Sequence, residues 1–103
     1  MKKFNRKFYI KQTNQIIDKK LKQVKSIYSI CGDFWQIFLN LKFYQIKDIN
    51  EDIKLMKIML YCLNKRFPNN EYVILLKEKT YQLIKERRKI IWLTKLQKNS
   101  QIK

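Results

Sequence analysis

The chain has 103 residues, one domain's worth of sequence, with 46% apolar and 31% charged residues and a formal net charge of +16. That apolar share disfavours disorder, although the core of so short a chain is small. With no His, one Gly and two Cys, the chain cannot build a Ser-His-Asp or Cys-His nucleophile, an imidazole metal site, a glycine-rich phosphate cradle or a four-cysteine zinc site. We therefore expect no catalytic residue, no metal and no cofactor, and a binding or structural role rather than an enzyme.

Four helices are predicted in chain order, because apolar residues recur at three and four positions and no strand-like alternation is visible. The first spans about Asn14 to Ile30, with Asn14 as N-cap, Ile16, Ile17, Leu21, Val24 and Tyr28 on one face, and Gly32 just past its end as a left-handed cap. The second spans about Asp33 to Gln45, capped by Asp33 and rich in rings: Phe34, Trp35, Phe38, Phe43 and Tyr44. Core packing is the expected use of those rings. An exposed fraction would instead mark a protein or membrane contact.

The third helix spans about Glu51 to Phe67, with Asp48 or Asn50 as its cap and Glu51 and Asp52 facing the positive end of the helix dipole. Its apolar stripe is Ile53, Met56, Leu60, Leu63 and Phe67. Pro68-Asn69-Asn70 then break the chain, and Asn70 caps a fourth helix reaching about Gln97. Val73, Leu76, Thr80, Leu83, Arg87, Ile90 and Thr94 follow a seven-residue pattern along it. The short link between the last two helices predicts an antiparallel hairpin, with the first two helices across or beside it. Residues 1–12 and 98–103 are expected as basic terminal arms. The fold class is thus all-α, a small helical bundle.

Cys31 and Cys62 are expected as buried or half-buried thiols in a reducing compartment. No secretory signal is visible, and no apolar run approaches the length needed to cross a bilayer.

The charge is uneven. Residues 1–25 carry nine basic groups and one acid, 26–70 six and four, and 71–103 nine and three. A polyanion relieves such self-repulsion, so RNA or an anionic membrane is the expected partner. Lys2, Lys3, Arg6, Lys7 and Lys11 are interleaved with Phe4, Phe8 and Tyr9, a pattern suited to phosphates and stacked bases. Lys19, Lys20 and Lys22 lie off the apolar face of the first helix, and Lys65 and Arg66 close the third. On the fourth, Arg87, Arg88 and Lys89 fan over more than half of the circumference, with Lys95 beyond them. These are the candidate RNA-binding residues.

One cluster carries a resemblance. Leu83-Ile84-Lys85-Glu86-Arg87-Arg88-Lys89-Ile90-Ile91 is similar to the Arg-Arg-Lys and two aliphatics near the end of the long helix in the small-subunit ribosomal protein fifteen family. With that anchor the preceding hairpin aligns without a gap, and Ile53, Met56, Leu60, Leu63 and Phe67 fall on apolar positions of the family's preceding helix. The resemblance covers roughly the C-terminal half. It departs at the family's His-and-Asp turn, which is Asn70-Glu71-Tyr72-Val73 here, and Glu78 stands where the family has an arginine. The usual rRNA-contact turn is therefore not carried over. What the resemblance implies is a helical hairpin that binds rRNA.

Few Gly, Ala, Pro and His, with many Lys, Ile, Asn and Gln, is the bias of a very A+T-rich coding sequence, as in protist mitochondria, ciliate nuclei and some reduced bacteria. The expected function is therefore a structural constituent of a mitochondrial ribosome in the matrix, bound to rRNA and neighbouring ribosomal proteins, with no small-molecule substrate. The alternative is an accessory subunit of a respiratory membrane complex, on the matrix face of the inner membrane beside anionic lipid. The ring-rich segment 34–44 separates the two: buried in the chain's own core it favours the ribosome, exposed it favours the membrane complex.

Overall fold

The computed structural model describes residues 4–41 and 46–101. They form four α-helices: α1 (Arg6–Lys22), α2 (Ile27–Asn40), α3 (Ile46–Arg66) and α4 (Glu71–Gln101). No strand occurs among the described residues. Contacts run from α1 to α3, from α3 to α4 and from α4 to α2. The predicted hairpin is therefore the α3–α4 pair, with one further helix beside each of its members.

The hairpin follows its sequence pattern. Ile53, Met56, Leu60 and Leu63 are buried as expected, and Phe67 is half-buried just past the helix end. Ile49, Ile58, Met59 and Cys62 are buried as well, because α3 packs against two neighbours rather than one. Asn70 caps α4 as predicted: its Oδ1 accepts from the backbone N–H groups of Tyr72 at 2.9 Å and Val73 at 3.3 Å. Val73, Leu76, Thr80, Leu83 and Ile84 are buried along α4, and no described residue beyond Ile84 is. The caps expected before α3 are not used as caps, since both Asp48 and Asn50 lie inside the helix.

The first half of the chain departs further from expectation. The predicted helix 14–30 is two helices with a corner at 23–26. Its start is Asn5, whose side chain accepts from the Phe8 N–H at 3.1 Å, and Asn14 lies in the middle of α1. The basic stretch 1–12 is thus helical from Arg6 onward, and α4 likewise continues through 98–101.

At the corner the Val24 N–H donates to the Leu21 carbonyl at 3.0 Å and the Lys25 N–H donates to the Lys20 carbonyl at 3.2 Å. This pair of bonds is the Schellman motif, which places Val24 at the left-handed position with φ 58°. The role expected of Gly32 therefore falls to a β-branched residue. Val24 is also 92% exposed, so neither it nor Tyr28 joins Ile17 in the core. Ser26 caps α2 by accepting from the Ser29 N–H at 3.1 Å. Gly32 and Asp33, expected as a cap pair between helices, both lie within α2.

The corner turns a stripe of Ile30, Phe34 and Phe38 inward, and all three are fully buried. The Phe34 and Phe38 rings meet edge to face with centroids 6.4 Å apart. This is the core use expected of the ring-rich segment for these two rings, whereas Trp35 is half-buried. Phe43 and Tyr44 lie outside the described residues.

A valine at positive φ costs about 1–2 kcal/mol, and a glycine inside a helix costs about 0.5–1 kcal/mol relative to alanine. Nothing lies within 4 Å of a Cβ placed on Gly32. Val24→Gly should therefore stabilise the fold by about 1 kcal/mol and Gly32→Ala by roughly 0.5–1 kcal/mol, additively, as read from urea unfolding midpoints. Phe34→Ala should cost about 3–5 kcal/mol in the same measurement.

Candidate nucleic-acid interface

Cationic side chains gather at two places on the bundle. The first is where α1 crosses α3. The Arg6 guanidinium lies 5.2 Å from the centre of the Tyr61 ring and the Lys65 ammonium 5.9 Å from it. One ring thus holds two cations from different helices, and no carboxylate pairs with either among the described residues. Lys54 sits over the Phe4 ring at 5.5 Å, and Phe4 stacks on Tyr9 at 4.9 Å. The aromatic residues of the N-terminal stretch therefore pack on one another and beneath a lysine. Lys7, Lys11 and Lys22 are exposed and share one stripe of α1, and Lys19 is exposed beside it.

Two of the expected contacts have internal partners. Arg66 binds Asp18 at 2.6 Å and donates to the Asn14 carbonyl at 3.3 Å, tying α3 to α1. Lys20 binds the Asp33 carboxylate at 2.8 Å, which Lys25 also reaches at 3.0 Å. Lys2 and Lys3 lie outside the described residues.

The second gathering is the far half of α4. Arg88, Lys89 and Lys95 are exposed there and Arg87 is half-buried. Tyr81, Lys85, Arg88 and Trp92 step by four, three and four residues, so they form one seam on a face that the core does not use. Trp92 is 60% exposed. Ile90, Leu93 and Leu96 are exposed around the same turns. Tyr61, Tyr81, Lys85 and Trp92 were not among the expected site residues. The seam spacing was present in the sequence, but it marks a surface only once the buried face of α4 is known.

Burial pushes the Cys31 thiol up to about 11. Burial also raises Cys62, against the opposing pull of Arg6, Arg66 and Lys65. Both thiols stay protonated at neutral pH. No group of His, Cys, Asp and Glu able to hold a metal ion occurs among the described residues. None of the described helices is long and apolar enough to cross a membrane.

No family model, no curated protein and no solved structure matches this chain.

Hydrogen bonds from Lys20 and Lys25 hold the Asp33 carboxyl below its ordinary value. A carboxylate depressed in the folded state stabilises above the unfolded value of about 3.9, and that contribution is lost as pH falls through the folded value. Asp33→Asn should therefore be less stable than the parent chain near neutrality, and the gap should narrow on acidification to about pH 3. Urea unfolding at the two pH values measures it.

Proposed function

We propose that this protein is an rRNA-binding structural constituent of a mitochondrial ribosome, seated through the α4 seam and the basic surface of α1 and α3. The observation that carries the reading is the seam itself. Tyr81 and Trp92 bracket Lys85 and Arg88 on an exposed helix face, and no carboxylate pairs with those two cations among the described residues. Cations of this kind neutralise phosphates while rings stack on unpaired bases, and a guanidinium adds a planar, two-pronged grip. The net charge of +16 supplies the long-range attraction. The resemblance of Leu83 to Ile91 to the small-subunit ribosomal protein fifteen family supports a place in the small subunit. The A+T-rich bias supports the organelle.

Within the ring-rich segment Phe34 and Phe38 are fully buried, which supports this reading over an accessory subunit of a respiratory complex, while Trp35 is half-buried and Phe43 and Tyr44 lie outside the described residues. The exposed Ile90, Leu93 and Leu96 suit contact with a neighbouring ribosomal protein beside the RNA.

In a sucrose gradient of gently lysed organelles the chain should co-migrate with a ribosomal subunit and lose that position after ribonuclease. Ribonuclease-resistant migration with membrane-complex subunits would sink the proposal. In vitro, binding to rRNA should weaken steeply with salt. The double change Arg88→Gln, Lys89→Gln should reduce the slope of log K against log salt by about 1–2, since each lost phosphate contact removes about 0.7–0.9.

A further inference from the structure

A groove of about 470 Å³ lies between α2 and α4, lined among others by Tyr28, Gly32, Trp35, Tyr72, Leu75 and Lys79. Neither cationic gathering described above includes it. Gly32 is the chain's single glycine. It lies inside a helix, its φ is not positive, and a Cβ there would meet nothing within 4 Å. No turn, strained backbone or close internal packing requires glycine at this position. What its bare backbone provides is a flat strip of helix open to the groove.

Rings stand on both sides of that strip. Tyr28 lies four residues before Gly32 and Trp35 three after, so the three share a helix face. At one end Tyr28 and Tyr72 meet edge to face, with centroids 5.2 Å apart. At the other the Lys79 ammonium sits 5.7 Å from the centre of the Trp35 ring. Asp33 also borders the groove, but its carboxylate is neutralised by Lys20 and Lys25. The exposed Gln36 places an amide donor and acceptor at the rim. A flat floor, aromatic walls, one amide and one cation match a planar heterocycle that carries a phosphate.

We propose that this groove takes one unpaired nucleobase of the bound RNA. The base lies over Gly32 among Tyr28, Tyr72 and Trp35, and its phosphate turns to Lys79. This rests on the RNA-binding reading above. The groove has the size of small-ligand sites, and stacking on aromatic rings accepts any base, so the site adds affinity for single-stranded regions with little sequence preference.

The test uses the full chain, an oligoadenylate, and an abasic ribose-phosphate oligomer of the same length. In the Trp92→Phe background, fluorescence reports Trp35. The oligoadenylate should quench it and the abasic oligomer should not. Gly32→Leu fills the groove from an exposed helix position, so it should keep or raise the melting temperature. Its affinity for the oligoadenylate should fall about tenfold, and its affinity for the abasic oligomer should not change.

Quenching absent while salt-dependent binding persists would overturn the groove proposal and leave the RNA-binding reading intact. So would wild-type oligoadenylate affinity in Gly32→Leu, or an equal loss toward the abasic oligomer. If neither the wild-type chain nor its variants bind the oligoadenylate, the abasic oligomer or organellar rRNA, both proposals fall. The quenching arm leaves Gly32 unchanged, so it decides the matter even if the leucine variant does not fold. Trp35 that ignores RNA but responds to a neighbouring protein subunit would give the groove to a protein side chain and reject the base.

Discussion

Helix α3 is buried around more of its circumference than its sequence stripe requires, and the placement of the other helices depends on that. Ile53, Met56, Leu60 and Leu63 continue the stripe, while Ile58, Met59 and Cys62 carry burial round the helix. A helix apolar on more than one side needs more than one neighbour. α1 and α4 supply them, and α2 packs chiefly on α4. The corner at 23–26 serves this arrangement. Without it Ile30, Phe34 and Phe38 would continue the line of α1 and could not turn inward.

The same economy governs the charges. The chain has 8 acidic residues against 24 basic ones. Two of the acids tie helices together at internal junctions: Asp33 holds two lysines across the α1–α2 corner, and Asp18 holds Arg66 between α1 and α3. Carboxylates used at junctions cannot moderate the charge elsewhere. Among the cations left facing outward are Arg6 and Lys65 on Tyr61, Lys7, Lys11, Lys19 and Lys22 on α1, and Arg88, Lys89 and Lys95 on α4. Their mutual repulsion weakens the isolated bundle and is relieved by any polyanion that spans them.

The hairpin was legible from sequence because each of its signals has a single strong reading: an aliphatic stripe, a Pro-Asn-Asn break and an asparagine cap. The first half was not, because two residues stand in each other's usual places. The left-handed corner carries a valine, and the glycine that such a corner normally takes lies inside a helix. Hydrophobic periodicity cannot register that exchange, since Val24 fits the apolar pattern of a continuous helix. Asp33 misled for a related reason. Its type suits a cap, but its partners come from the lysines that the corner brings to it. The basic residues of the candidate interface stand out by charge alone. Their rings do not, because whether Tyr61, Tyr81 or Trp92 faces water depends on which side of each helix the bundle covers.

The far half of α4 shows what a neighbour of this bundle would have to do. Ile90, Ile91, Trp92 and Leu93 are consecutive, so at 100° per residue they point around most of the helix. A single packing surface covers one side of a helix, and here only Ile91 is even half-buried. Partners on several sides would be needed to cover the band, and the cations that bracket it, Arg88, Lys89 and Lys95, favour at least one that is anionic. A cleft between folded RNA and a neighbouring protein meets both demands. A flat membrane surface meets neither fully, because it leaves half of the band in water and gains only the cations on its own side. The geometry of α4 beyond Ile84 therefore weighs toward an embedded position, in keeping with the ribosomal proposal.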